Sequence, residues 1–158
     1  MWRQFALGAG GLSVTLIALW VLFTVAMRTK FRPVLDAICR TNRRIFNPRT
    51  MKTAGRPGAY ASVVRHVGRT TGTRYETPVV ARPTDDGFAI VLPYGTRADW
   101  LKNVLAAGHA IIVHEGTTHR VEHPQVRPVA TADPYLSPNE RRSHRVYGIG
   151  DVLLVRRG

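Results

Sequence analysis

Apolar and polar positions divide the chain into two unlike parts. From Phe5 to Met27 (FALGAGGLSVTLIALWVLFTVAM), 23 residues pass without a charge. A helix of that length spans about 34 Å, enough to cross a hydrocarbon core of about 30 Å. A secretory signal is the rival reading, but its apolar region usually runs about 7–15 residues. Here Thr24 and Ala26 are the only small-x-small pair at the end of the run, and Arg28 follows at once. The pattern predicts a retained membrane anchor over residues 1–30, in which Gly8, Gly10 and Gly11 would let two such helices approach closely. From Arg32 to Pro48, Val34, Leu35, Ile38 and Ile45 fall near helical spacing, with Pro33 at a first helical position and Arg40, Arg43 and Arg44 on another face. A basic amphipathic helix beside a span either lies in the membrane interface or packs on the domain by the same apolar face. Asn47-Pro48 predicts its end, and Thr53–Gly58 reads as a loop. Residues 31–58 are thus a basic helix and linker.

From residue 59 onward the pattern becomes short and β-like. Ala59–Val67, Tyr75–Arg82 and Gly87–Tyr94 read as strands, the last two joined by a turn ending in Asp86-Gly87. Asp99–Ala107 has a helical period through Trp100, Leu101, Val104 and Leu105, and Gly108 terminates it. Ala110–His114, Thr118–Glu122 and Val126–Ala130 read as three more strands, with a tight turn at Glu115-Gly116-Thr117. Ser137–Val146 reads as a helix with Ser137 as cap, Pro138 in its first position and Glu140 in its third. Asp151–Val155 is a last strand. Six or seven short strands around one internal helix predict a small, largely antiparallel barrel over 59–158.

Charge sharpens the division. The chain of 158 residues carries a net +13, of which +9 belongs to residues 1–58 and +4 to residues 59–158. Arg28, Lys30, Arg32, Arg40, Arg43, Arg44, Arg49, Lys52 and Arg56 follow the span against the single acid Asp36, and only Arg3 precedes it. The positive-inside rule then puts the globular part in the cytoplasm, at the inner (plasma) membrane, with its basic collar against anionic headgroups. Aromatics are not interleaved with these charges, which argues against a nucleic-acid partner. One cysteine, Cys39, excludes a disulfide framework and a Cys-based zinc site. His114, His119 and His123 are loosely spaced like ligands, but nothing completes a set, so no metal is expected. The motifs of hydrolases (Gly-x-Ser-x-Gly, His-Glu-x-x-His) are absent.

Two segments carry candidate chemistry. In Gly68-Arg69-Thr70-Thr71-Gly72-Thr73-Arg74-Tyr75-Glu76-Thr77-Pro78, two glycines free the backbone, two arginines fork onto anionic oxygens and four threonines supply hydroxyls. It reads as an anion cradle or as a solvated hairpin turn. Leu92-Pro93-Tyr94-Gly95-Thr96-Arg97-Ala98-Asp99-Trp100 runs from a strand end into a helix, where backbone N–H groups can face a flat heterocycle; Trp100 either lines that site or belongs to the core.

Gly68-Arg69-Thr70-Thr71-Gly72, Thr77-Pro78-Val79, Asp86-Gly87, Tyr94-Gly95 and Asp99-Trp100-x-x-Asn103-Val104-Leu105-Ala106-Ala107-Gly108, in that order, resemble the deazaflavin (coenzyme F420)-dependent nitroreductase and quinone reductase family over roughly 60–116. The resemblance implies a mainly β (α+β) domain, a split β-barrel of the flavin-reductase-like kind, which the apolar run predicts to be preceded by one N-terminal transmembrane helix. It implies that Arg69, Thr70, Thr71, Gly72 and Arg74 hold the phosphate and acidic tail of coenzyme F420, and that Thr77 and Pro78 are cofactor-binding as well. By the same resemblance Leu92, Pro93, Tyr94 and Gly95 lie along the ring, and Trp100 and Asn103 shape the pocket. The chain departs from the family at Thr70, where a Lys is common, and at Tyr75, where an Arg is usual and Arg74 stands one place earlier. The expected activity is hydride transfer from the reduced cofactor to a quinone or nitro compound, with Tyr135 and Tyr147 as acceptor contacts, and membrane lipid and a membrane quinone as partners. No residue is assigned a catalytic proton. FMN is the second choice of cofactor, since split barrels host both; a homo-oligomer is compatible with all of this. The alternative is a non-catalytic split-barrel module that binds a flavin, a deazaflavin or an acyl lipid at the membrane surface.

Overall fold

Why the strands curl is visible in their order. The computed structural model describes the backbone from Trp2 and side chains from Val14 to Gly158, so the predicted glycine contact at Gly8, Gly10 and Gly11 lies outside the described residues. Seven strands, β1 (Ser62–Val67), β2 (Arg74–Val79), β3 (Ala81–Pro83), β4 (Gly87–Val91), β5 (His109–His114), β6 (Thr117–Pro128) and β7 (Asp151–Arg157), form one sheet in the order β2-β1-β5-β6-β7-β4-β3. Every neighbouring pair is antiparallel. The two edges, β2 and β3, are separated in sequence by Val80 alone. Edges held one residue apart force the sheet to curl round on itself into a split barrel, with β2 and β3 as its two unpaired edges.

Strand alternation then fills the barrel. Val64, Phe88, Ile90, Ile112, Val121, Leu153 and Val155 form its core, and α4 (Asp99–Ala107) adds Leu101 and Val104. Each such side chain contributes roughly 1.5–3 kcal/mol when fully buried. The opposite face of β4 and β7 is covered as well: Ala89 and Val152 pack under Ala132 and Leu136. Glycine is required at 87 because a Cβ there would lie 1.8 Å from the Val155 carbonyl oxygen.

Several boundaries differ from expectation. The predicted strand Tyr75–Arg82 is two strands, broken at the turn of the barrel. The predicted strands Thr118–Glu122 and Val126–Ala130 are one, β6, with a bulge between Glu122 and Gln125 where His123 takes φ 53°. Bulges of this kind bend a strand round a barrel, and no glycine announces this one. Val129–Tyr135, expected in part as strand, is a 3₁₀ helix that covers the outer cluster. By contrast α5 (Pro138–Tyr147) has the expected capping box between Ser137 and Glu140.

Ahead of the barrel, α1 runs Trp2–Arg28, and α2 (Arg32–Thr41), a π-helical turn (Asn42–Phe46) and α3 (Asn47–Thr50) continue one helical run. Asn47-Pro48 therefore does not end the helix; the proline sits in the first turn of α3, where its missing N–H is harmless. Val14–Arg28 and Arg32–Thr50 meet at 103°, with Lys30 at φ 54° in the corner. Among the described residues no single helix is long and apolar enough to cross a membrane, and this bent pair passes that test only together. Arg28 pins the corner to the barrel: its Nη1 donates to the carbonyls of Arg145 (3.0 Å) and Val146 (3.1 Å) at the end of α5, and Phe23 meets the Tyr147 ring edge-on at 5.7 Å.

Candidate functional site

The β1–β2 hairpin and the start of α4 meet through one buried amide. Asn103, 5% exposed on α4, accepts at Oδ1 from the Arg69 backbone N–H (3.2 Å) and from Arg69 Nη1 (2.9 Å). Its Nδ2 donates to His66 Nδ1 at 3.2 Å, which leaves the proton on Nε2 to be donated to Thr77 Oγ1 at 3.2 Å. Burial holds the His66 pKa below its ordinary value, in keeping with a neutral ring used at both nitrogens. Tyr75, directly opposite His66 in the register, stacks on it at 5.7 Å. This chain of contacts, Arg69 to Asn103 to His66 to Thr77, orients the hairpin. Sequence reasoning missed it, because a lone histidine in an alternating strand carries no pattern of its own.

The hairpin tip is an open cradle. Gly68 N–H donates to the Thr73 carbonyl and Gly72 N–H to the Gly68 carbonyl, while the amides of Thr70 and Thr71 have no partner among the described residues. Thr70, Thr71 and Arg74 are exposed, and Arg74 makes no ion pair there. Gly72 takes φ 69°, and a Cβ on it would meet nothing within 4 Å. Gly95 repeats this at φ 77°, again with open space beside it. These are the features an anion and a flat ring need: free donors at one place and approachable backbone at the other.

The other sequence-predicted residues fall into three groups. Leu92 is buried in the barrel core, so only its backbone can face a ligand, while Pro93, Tyr94 and Gly95 are half-buried in the following turn. Trp100 packs against the core, and Pro78 pairs with Val63 inside the sheet. Tyr135 and Tyr147 stand apart from these and from each other. The Tyr135 hydroxyl donates to Asp85 at 2.9 Å, which raises its pKa, and its ring lines a cavity of about 180 Å³ with His123 and Leu154. Tyr147 is the residue under Phe23. His114 and His119 both pack on the Phe88 ring, and among the described residues no group of three His, Cys, Asp or Glu side chains could hold a metal ion.

Two contacts come from the basic collar, which sequence reasoning kept outside the site. Asn42 Nδ2 donates to the Tyr94 hydroxyl at 3.0 Å, and Arg43 pairs with Asp99 at 3.5 Å. Asp99 also meets Arg69 at 3.4 Å. Both collar residues sit on the π-helical turn, a form that recurs at functional sites.

No family model and no curated protein matches the chain. Solved structures similar to it include F420 reductases. One so named is 15% identical, at a TM-score of 0.47, covering 68% of this chain and 91% of its own. A second, an F420-H2 dependent reductase (FDR-A), is 15% identical at a TM-score of 0.39, covering 61% and 94%. A third, described as a domain-swapped dimer, is 14% identical at 0.40, covering 77% and 98%. At these values none of them bears on what this chain binds, and the barrel is argued above from its own strand order.

Proposed function

We propose that the chain is a membrane-anchored oxidoreductase that passes a hydride from reduced coenzyme F420 to a quinone or nitro-compound acceptor. One observation carries the reading: Asn103 ties Arg69 of the hairpin to α4, the helix that follows the strand-end turn. In this reading the free amides of Thr70 and Thr71, with Arg69 and Arg74, bind the phosphate and acidic tail. The turn Pro93–Gly95 offers backbone to the ring, and the open side of Gly95 leaves room for it.

When bound, the cofactor supplies the hydride, and solvent supplies the proton that completes quinol formation. The protein contributes orientation, electrostatics and exclusion of water, with no titrating side chain in the transfer. His66 is engaged at both nitrogens and acts as scaffold.

The anchor reading rests on exposure as well as on composition. Val14, Leu16, Ile17, Leu19, Trp20, Leu22 and Val25 of α1 are all at least half exposed, and among the described residues the protein covers this helix only toward its end, at Phe23, Ala26 and Met27. An apolar helix left so largely uncovered fits a bilayer. The basic collar then faces the cytoplasm and anionic lipid, near the place where a membrane quinone would be reduced.

The alternative of a non-catalytic binding module draws on Thr70 standing where a lysine would add charge and on Arg69 being already paired with Asp99. Titration of the full chain in neutral detergent with F420 and with FMN, followed by turnover with a soluble quinone, separates the readings. Binding of F420 that is lost on changing Arg69 and Arg74 together to Ala, with quinone-dependent oxidation of the reduced form, supports the oxidoreductase. Binding without turnover supports the carrier, and binding of neither flavin removes the oxidoreductase and leaves only the acyl-lipid form of the module.

A further inference from the structure

The Arg43–Asp99–Arg69 bridge is oddly built for a structural contact. Its side chains are 75%, 59% and 37% exposed, and surface pairs of this kind contribute little to stability. The distances of 3.5 and 3.4 Å are long against about 2.7–2.9 Å for tight charge-assisted bonds. Asp99 uses one oxygen for each arginine, so a single loosely held carboxylate spans two guanidinium groups from distant parts of the chain. Arg97 stands close by: with Arg43 it favours the thiolate of Cys39, although burial dominates and raises that pKa. Two or more arginines facing one small anion are what recognises a phosphate or a polycarboxylate.

The collar is not uniform in this respect. The π-helical turn aims Asn42 at Tyr94 and Arg43 at Asp99, whereas Arg40 and Arg44 are exposed and make no ion pair among the described residues. We propose that Arg43, supplied by the membrane collar, is a third arginine of the anion cradle beside Arg69 and Arg74, and that Asp99 is a place-holder whose carboxylate the ligand's anionic tail displaces. This gives the site the charge missing at Thr70, and it makes the collar part of the binding site as well as a membrane contact. The proposal rests on the F420 reading for the identity of the ligand, but not for the existence of the anion site.

The test uses the full chain in neutral detergent at low ionic strength. Two probes are titrated, coenzyme F420 and inorganic pyrophosphate, against wild type, Arg43→Ala, Arg44→Ala and Asp99→Asn. We expect Arg43→Ala to weaken both probes about tenfold, a loss typical of one phosphate-binding arginine. Arg44→Ala, which removes the same charge from the same collar, should change neither. Asp99→Asn should tighten both, because nothing then competes for the arginines. Equal losses from Arg43→Ala and Arg44→Ala would reduce Arg43 to general electrostatics and overturn the proposal. Weaker binding in Asp99→Asn would make Asp99 a support of Arg69 and overturn the place-holder. Pyrophosphate bound with this pattern and F420 not bound would retain the anion site and remove the F420 reading; binding of neither probe would remove both.

Discussion

The collar and the barrel handle the same kinds of residue in opposite ways. In the barrel, large apolar side chains are buried, down to 1% exposure for Phe88, and Arg65, Arg82, Arg120 and Arg156 have carboxylate partners within 3.0 Å. In the N-terminal helices, Phe31, Ile45 and Phe46 are about half exposed, and the cations Lys30, Arg32, Arg40, Arg44, Arg49, Lys52 and Arg56 make no ion pair among the described residues. Among the described residues five of the thirteen cations after residue 58 have a carboxylate partner, against Arg43 alone of the nine from Arg28 to Arg56, where Asp36 is the single acid. The difference is one of exposure and pairing, and on the membrane-anchored reading proposed above a bilayer with anionic headgroups would take up both the apolar and the basic groups of the collar.

The largest break in this comparison comes from matched truncations. Phe88→Ala should cost about 3–5 kcal/mol in urea unfolding of the full chain, whereas Phe46→Ala should stay within about 0.5 kcal/mol. A loss at Phe46 comparable to that at Phe88 would mean that the collar belongs to the folded core. Next is the junction: Asn103→Leu strands the His66 and Arg69 donors and acceptors it serves, at about 1–3 kcal/mol, and should abolish anion binding with it. Retained binding would show that the hairpin orients itself. On the collar side, Arg44→Ala should weaken binding to vesicles containing phosphatidylserine by about 1 kcal/mol, and less at high salt; unchanged partition would take that arginine off the membrane.

The smallest effect is a pH dependence confined to the barrel. Burial lowers the pKa of His66, His114 and His144 in the folded state, so the unfolded chain binds more protons below about pH 6.5. Glu140 acts in the same direction: burial pushes it up, but hydrogen bonds from Ser137 and Arg82 outweigh that and lower it. Stability should therefore hold above about pH 6.5 and decline as the pH falls through that value, with a further loss toward the carboxylate range. His66→Gln should flatten part of the first decline. A melting temperature that rises on acidification would contradict the shifts.

Much of the barrel was legible because alternation and turn residues are local signals. Ser137 with Glu140 announced α5, Gly108 ended α4 at φ 73°, and Asp86-Gly87 marked its turn. The bulge at His123 and the break at Val80 were not legible, since closing a barrel is a property of the whole sheet and leaves no mark on either residue. The cradle was legible as a segment, through its glycines and arginines. Its partners were not: Asn103 read as pocket lining and is in fact the tie between hairpin and helix, and Arg43 read as one of several collar charges. Both arginines sit on the π-helical turn, and the pairing of Arg43 with Asp99, which no hydropathy period predicts, separates it from Arg44.

Hydrogen exchange of the full chain in detergent, with and without coenzyme F420, tests the central claim most directly. The account predicts slowed exchange over 68–74 and 92–99, with smaller protection over 42–46 and none at the β5–β6 turn, 114–118. Protection confined to the cavity beside Tyr135, or no protection at all under saturating cofactor, would contradict it.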